Sequence, residues 1–241
     1  MDTLTALWSR VTQISAPLTV PLLVGSLVVG ILLVLLPGTW HTVRHAVTVV
    51  HEGGHGLAAV VSGRRLSGIR LHSDTSGLTV SKGPRTGPGM VLTLLAGYTA
   101  PALAALGAAW MLSRGYSAGL LWALLVVLAL MLIQIRNWFG LWVILVGAAL
   151  VAAVTFFATP QWQLVFGHVV TVVLALGALR ASIELQASRR RSRGGQSDAD
   201  QLARLTRVPG LVWVFVFVVV ALGCAIADAW MLVPQGLLTQ P

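Results

Sequence analysis

Five residues, His51-Glu52-Gly53-Gly54-His55, carry the chemistry most readily recognised in this chain. On an α-helix, positions i and i+4 share a face, so both imidazoles can reach one metal ion. The glutamate between them lies about 100° round the helix, beside such an ion rather than on it. From there a carboxylate can take a proton from a metal-activated water and hand it to a leaving group. The flanks are apolar for more than a turn on each side, through Val47-Thr48-Val49-Val50 and Leu57-Ala58-Ala59-Val60-Val61. Ionisable groups packed this densely in a lipid-embedded helix are costly and are functional by default. The competing reading is a polar knot that hydrogen-bonds neighbouring helices. Gly53 and Gly54 weaken the helix by about 1 kcal/mol each relative to alanine, and their use is close approach of another backbone.

The remaining elements must hold that segment in an apolar medium. Of 241 residues, 56% are hydrophobic and 10% charged, with a mean hydropathy of +0.86. A soluble domain carries about 25% charged residues, so this composition is that of a membrane protein and the lipid bilayer is an expected partner. The net charge of +9 is accordingly read loop by loop as topology, and nucleic acid is not expected to bind. Cys224 is the single cysteine and lies in an apolar run, so no disulfide forms within the chain.

About twenty apolar residues suffice to cross a bilayer. Such stretches are expected at about 18–36, 39–62, 90–112, 117–133, 138–157, 162–185 and 211–232. No small-residue cleavage site follows the first, which is therefore kept as a helix and not a removed signal. Alternation on both sides of Ser73-Asp74-Thr75-Ser76-Gly77 predicts a β-hairpin over 66–82. An isolated hairpin is marginal in water, so it must rest on something, and the metal-bearing helix is nearest. A basic linker is expected at 186–196, then a short helix capped by Ser197 or Asp198. The expected fold is an all-α polytopic membrane protein of about seven transmembrane helices with a small cytoplasmic-side β-hairpin, one integral membrane domain over 1–241. With seven spans, all of the 16 Lys and Arg except Arg44 and Arg114 fall on one side. Positive-inside bias then puts the N-terminus in the cytoplasm and the C-terminus outside, in a bacterial cytoplasmic membrane.

A catalytic zinc usually takes three protein ligands and keeps its fourth position open. His41 and His45 are on the metal helix but nearer its outer side and out of phase. His168 and Asp228 belong to the outer ends of their spans. His72 and Asp74 sit at the hairpin tip, Glu184 ends a span, and Asp198 and Asp200 precede the last one. Depth favours Asp198 as third ligand, with a plain helix cap as its alternative role.

His51-Glu-Gly-Gly-His55 in a membrane helix, then a basic hairpin, then Gly97-Tyr98 with Pro101, resembles the site-2 protease clan of intramembrane zinc peptidases. Arg136-Asn137-Trp-Phe-Gly140 and the Ser197-Asp198-Ala199 stretch, with Leu202, Thr206, Pro209 and Trp213 behind it, resemble the M50B-like, actinobacterial-type branch. The resemblance runs from about residue 20 to 230. It implies one Zn²⁺ per chain on His51, His55 and Asp198, Glu52 as general base, and a membrane-embedded protein or peptide as substrate. One departure stands out: better-known members carry an Asn/Pro-rich stretch ending in Leu-Asp-Gly, where this chain has Gln196-Ser-Asp-Ala.

The expected activity is zinc-dependent hydrolysis of peptide bonds inside the membrane. Gly97 and Tyr98 are candidate substrate-binding residues: a break near Gly97 would let a helix move aside, and Tyr98 would stabilise an oxyanion or pack. The hairpin would offer a strand edge to an unwound substrate or plug the site. A non-catalytic metal-binding scaffold is the alternative, and it leaves the intact Glu52 without a purpose. A transporter would need ionisable groups spread over several spans and internal repeats, and neither is seen. Substrate identity and oligomeric state are not encoded in any pattern found.

Overall fold

Each apolar stretch becomes a helix because lipid offers no partner to a free backbone amide or carbonyl. The computed structural model describes residues 2–191 and 196–233. In chain order the helices and strands are α1 (Asp2–Val11), α2 (Val20–Leu35), α3 (Pro37–Val61), β1 (Arg65–Leu71), β2 (Gly77–Lys82), α4 (Pro88–Ser113), α5 (Ser117–Gln134), α6 (Trp138–Phe157), α7 (Pro160–Arg191), α8 (Asp198–Thr206) and α9 (Gly210–Leu232). The molecule is a multi-pass helical membrane protein with one small antiparallel hairpin.

The span count differs from seven. Pro37-Gly38 reads as a stop, yet proline suits the first turn of a helix, and α3 starts on it after a single extended residue, Leu36. Helices α2 and α3 therefore meet at 97° as a bent pair. Among the described residues, α4, α5, α6, α7 and α9 are long and apolar enough to cross a membrane, and the bent pair makes a sixth if counted as one span. The carbonyls freed at the bend are satisfied from neighbours, as membrane burial requires. The Thr39 hydroxyl lies 3.0 Å from Leu33 O and 3.1 Å from Leu36 O, and Arg180 of α7 donates to Val34 O and Leu35 O.

The contacts at the two ends of α5 show what each described chain end packs against. Ser15 donates its amide to Gly115 O and shares a hydroxyl bond with Ser117 at the start of α5. At the other end of α5, Arg136 donates its amide to Ile69 O in the hairpin. The N-terminal segment thus lies opposite the hairpin, and Leu18, Met231 and Leu232 pack there with Leu112 and Leu164. Both described ends share that face because α2 and α3 do not cross as an antiparallel pair. Among the described residues charge asymmetry persists: Arg10 joins Arg114, and the cations of the hairpin, Arg136 of the α5–α6 connection, and Arg189, Arg190, Arg191, Arg204 and Arg207 lie at the other end.

The hairpin pairs Arg65 with Lys82 through Leu71 with Gly77, with a register shift between Leu66 and Gly68. Its inward face is half apolar: Ile69 and Leu71 are buried with Val49 of α3, Met131 of α5 and Ile144 of α6. So it rests on three helices, not on α3 alone. The outer edge of β1 is closed by the 135–137 connection. Ile69 bridges Ile135, and the Asn137 side chain accepts from Leu71 N (3.1 Å) and donates to Leu71 O (2.7 Å), as a neighbouring strand would.

Helix α4 is the central post, packed on α3, α7 and α9. A Cβ on Gly54 would come within 2.4 Å of the Ala100 Cβ and 2.7 Å of Ala96 O, so small residues let α3 and α4 touch along their backbones. The segment expected as a linker at 186–196 is helical through Arg191, in the last turns of α7. Cations suit a helix C-terminus, and Arg189 is fixed by Gln186 (2.8 Å) and Asp200 (2.6 Å). Residues 192–195 of that stretch lie outside the described residues. Helix α8 is capped by Ser197, whose hydroxyl accepts from Asp200 N at 3.3 Å. Asp198 is thereby left free of the capping role, while Ala199 and Leu202 seat α8 against Leu94, Leu185, Val214 and Phe217. Trp213 donates to the Thr206 hydroxyl (3.2 Å), tying the end of α8 to α9.

Candidate metal centre

Three side chains from two distant parts of the chain converge on one point. His51 Nε2 and His55 Nε2 are 3.1 Å apart, one turn from each other on α3. Asp198 Oδ2, at the first turn of α8, lies 3.4 Å from the former and 3.3 Å from the latter. Together these residues form a group able to hold a metal ion. A tetrahedral ion bonded at about 2.0–2.1 Å separates its ligand atoms by roughly 3.3 Å, so the donor spacing fits such an ion, as does the mixed nitrogen and oxygen donor set.

The neighbours orient these donors. His55 Nδ1 is 2.7 Å from Thr93 O on α4. A carbonyl only accepts, so Nδ1 carries a proton, and Nε2 is the ring position that a second proton or a metal ion takes. Burial pushes the Asp198 carboxyl up, but the charge of His55 and hydrogen bonds from His51 and His55 outweigh it and hold Asp198 well below the usual carboxylate range. It faces the two imidazoles as an anion. Tyr98 stands edge-on to the His51 ring, with centroids 4.7 Å apart, and stacks on Phe217 of α9 at 5.0 Å. It braces the first histidine from α4.

Gly97 is where the packing is tightest. A Cβ there would sit 2.4 Å from both Cε1 and Nε2 of His55 and 2.8 Å from His51 Cε1. Its role in the structure is to leave room for the two imidazoles. Gly97→Ala is expected to push both rings off their common point, with zinc per chain falling by about tenfold or more relative to wild type at equal free zinc, since ligand placement sets affinity. Metal analysis of the purified variant checks this; retention equal to wild type would show that the rings have slack.

Glu52 is only 4% exposed, lines the same cavity as the histidine pair and reaches β2. The Thr79 hydroxyl donates to its Oε2 at 2.6 Å. Gly77 lies so close that a Cβ would meet Oε1 at 2.4 Å. Thr48, one turn earlier on α3, donates to Thr75 O at 2.9 Å, and buried Thr75 takes a left-handed backbone (φ 68°). The hairpin is therefore stitched to α3 at two successive turns. Histidines, glutamate, Asp198, Tyr98 and the free side of β2 all line one cavity of about 430 Å³, which Arg44 and Gln201 also reach.

The other candidate ligands lie outside this group. Glu184 bonds Arg44 (3.0 Å), Arg180 (2.8 Å) and the Trp40 indole (3.1 Å). Asp200 is paired with Arg189 and with Ser197. Asp74 accepts from Ser76 in the hairpin turn, with His72 beside that serine. His41 and His45 meet edge to face, outside the group, and His168 bonds Leu164 O. Asp228 is buried in α9, apart from the group. Sequence reasoning passed over Thr79, Gly77 and Thr93. The alternation of the hairpin did hold a signal for the first two, since Gly77 and Thr79 share its inward register.

One family profile, described as Peptidase M50B-like, matches residues 24–228 and so covers every residue of this centre. No curated protein and no solved structure matches the chain.

Proposed function

We propose, from the premise that this chain belongs to the M50B-like peptidase family, that it is a zinc-dependent endopeptidase cleaving membrane-embedded protein substrates. The observation that carries the reading is the convergence of His51, His55 and Asp198 with buried Glu52 at their side in one cavity. His51, His55 and Asp198 would hold the ion. Bound there, zinc supplies Lewis-acid polarisation of a carbonyl and lowers the pKa of water in its open position toward about 7.

The protein groups supply the remainder. Glu52 Oε1 and Oε2 are the proton-holding atoms: the carboxylate takes a proton as water attacks and returns it to the departing amine. Burial among α3, α4, α8 and the hairpin keeps bulk water from these atoms. A transmembrane substrate must unwind before its peptide bonds are accessible, and β2 supports a way to hold it extended. The outer edge of β1 is occupied by the 135–137 connection, whereas Gly77, Leu78, Thr79 and Ser81 of β2 border the cavity. An unwound segment adding to β2 as a strand would lie beside Glu52. This favours a substrate-holding hairpin over a plug.

The basic residues near the hairpin and α8 support placing that end on the cytoplasmic side of a bacterial membrane, with both described chain ends on the opposite side. The test is metal content and cleavage together. Detergent-purified protein should contain about one zinc per chain and cleave a single-span reporter substrate. Chelation should abolish cleavage, and added zinc should restore it. A folded protein that takes up no zinc when it is supplied would sink the reading.

A further inference from the structure

Thr79 stands outside the metal ligands and outside the general base, yet it is the residue of the hairpin that touches that base. Its Oγ1 is 2.6 Å from Glu52 Oε2 and 3.0 Å from Glu52 O. One hydroxyl carries one proton, and the shorter contact to an anionic acceptor is the stronger bond. On the opposite side Gly77 presents only backbone to Oε1. The carboxylate is thus confined between two residues of a single strand. The hairpin that carries this strand is anchored independently of Glu52, through Thr48 to Thr75 O in the turn and through Asn137 to Leu71 of β1, with which β2 pairs.

We infer that Thr79 is a positioning residue: its hydroxyl holds the Glu52 carboxylate at the angle from which it serves the metal centre, and it does so from the strand that borders the substrate cavity. The inference rests on the peptidase reading above and adds to it a coupling between the hairpin and the base. A glutamate has three side-chain torsions to order, and a misaimed base loses rate even when it is present and ionised. Substrate added to β2 and the aim of Glu52 would then be set by one and the same element.

The experiment compares full-length wild type, Thr79→Val and Thr79→Ser in detergent, on a single-span reporter substrate. Valine keeps the shape and removes the donor; serine keeps the donor. Thr79→Val is expected to lower kcat by about tenfold or more with KM within about twofold, because the lost interaction serves the reacting state and not substrate binding. Zinc per chain should stay at the wild-type value, and Thr79→Ser should recover most of kcat. Wild-type kcat in Thr79→Val, an equal loss in Thr79→Ser, or a loss that follows zinc would each overturn the assignment. A second readout does not need turnover: melting temperatures of wild type, Thr79→Val, Glu52→Ala and the double variant. Coupling predicts that Thr79→Val lowers the melting temperature less in the Glu52→Ala background than in wild type; strictly additive shifts would overturn it. Zinc-loaded wild type that cleaves no substrate would overturn the peptidase reading, and the melting cycle would still decide whether Thr79 holds Glu52.

Discussion

Glu52→Gln should leave zinc bound at the wild-type level and lower peptide cleavage by about 10²-fold or more, the usual worth of a positioned acid–base group. The two halves of that result come from different atoms. Zinc retention should depend on His51 Nε2, His55 Nε2 and Asp198 Oδ2, whereas the Glu52 carboxylate is held by the Thr79 hydroxyl. Glutamine keeps the volume and still accepts from the Thr79 hydroxyl through its amide oxygen, so the packing of β2 on α3 should persist. What it cannot do is take up a proton. Inductively coupled plasma analysis and a single-turnover cleavage assay on the same preparation measure both halves. Cleavage at the wild-type rate in Glu52→Gln would remove this residue from the chemistry and place the general base on another group.

Asp198→Ala should have the opposite signature, with metal lost and activity lost along with it. Breaking a hydrogen-bonding partner of a ligand typically costs about 10–100-fold in metal affinity, and removing a ligand itself should cost more. The variant also takes from the His51 and His55 imidazoles the carboxylate that faces both. The other ligand candidates beside α8 and at the end of α7 are engaged: Asp200 is held by Arg189 and Ser197, and Glu184 by Arg44, Arg180 and Trp40. Helix α8 itself should survive, because its cap is Ser197 and its seat is Ala199 and Leu202. Competition against a chromophoric zinc chelator gives the affinity, and circular dichroism confirms the helix content. Full retention of zinc in Asp198→Ala would move the third ligand elsewhere and leave α8 as a lid.

What was legible in the chain is what depends on local periodicity and on the cost of charge in lipid. The i, i+4 spacing of His51 and His55 and the placement of Glu52 between them follow from helix geometry. So do the helical nature of the apolar stretches and the alternation of the hairpin. The chain also showed that Asp198 lies at a useful depth, but only as one of two roles. Its release from capping was decided by Ser197, a choice between neighbouring residues that propensity does not separate. The angle between α2 and α3 was likewise beyond local pattern. Pro37 is compatible both with a stop and with a first helical turn, and the outcome depends on Arg180 arriving from more than a hundred residues away to satisfy the freed carbonyls. The same is true of Gly97, whose purpose is visible only against two imidazoles of another helix, and of Thr79, whose hydroxyl meets Glu52 because Asn137 and Thr48 hold the hairpin in place. The residue types and spacing on one helix were therefore sufficient to point to the metal-centred chemistry proposed for this protein. Which groups complete and aim that chemistry is a matter of contacts between segments far apart in sequence, and only the packed bundle decides those.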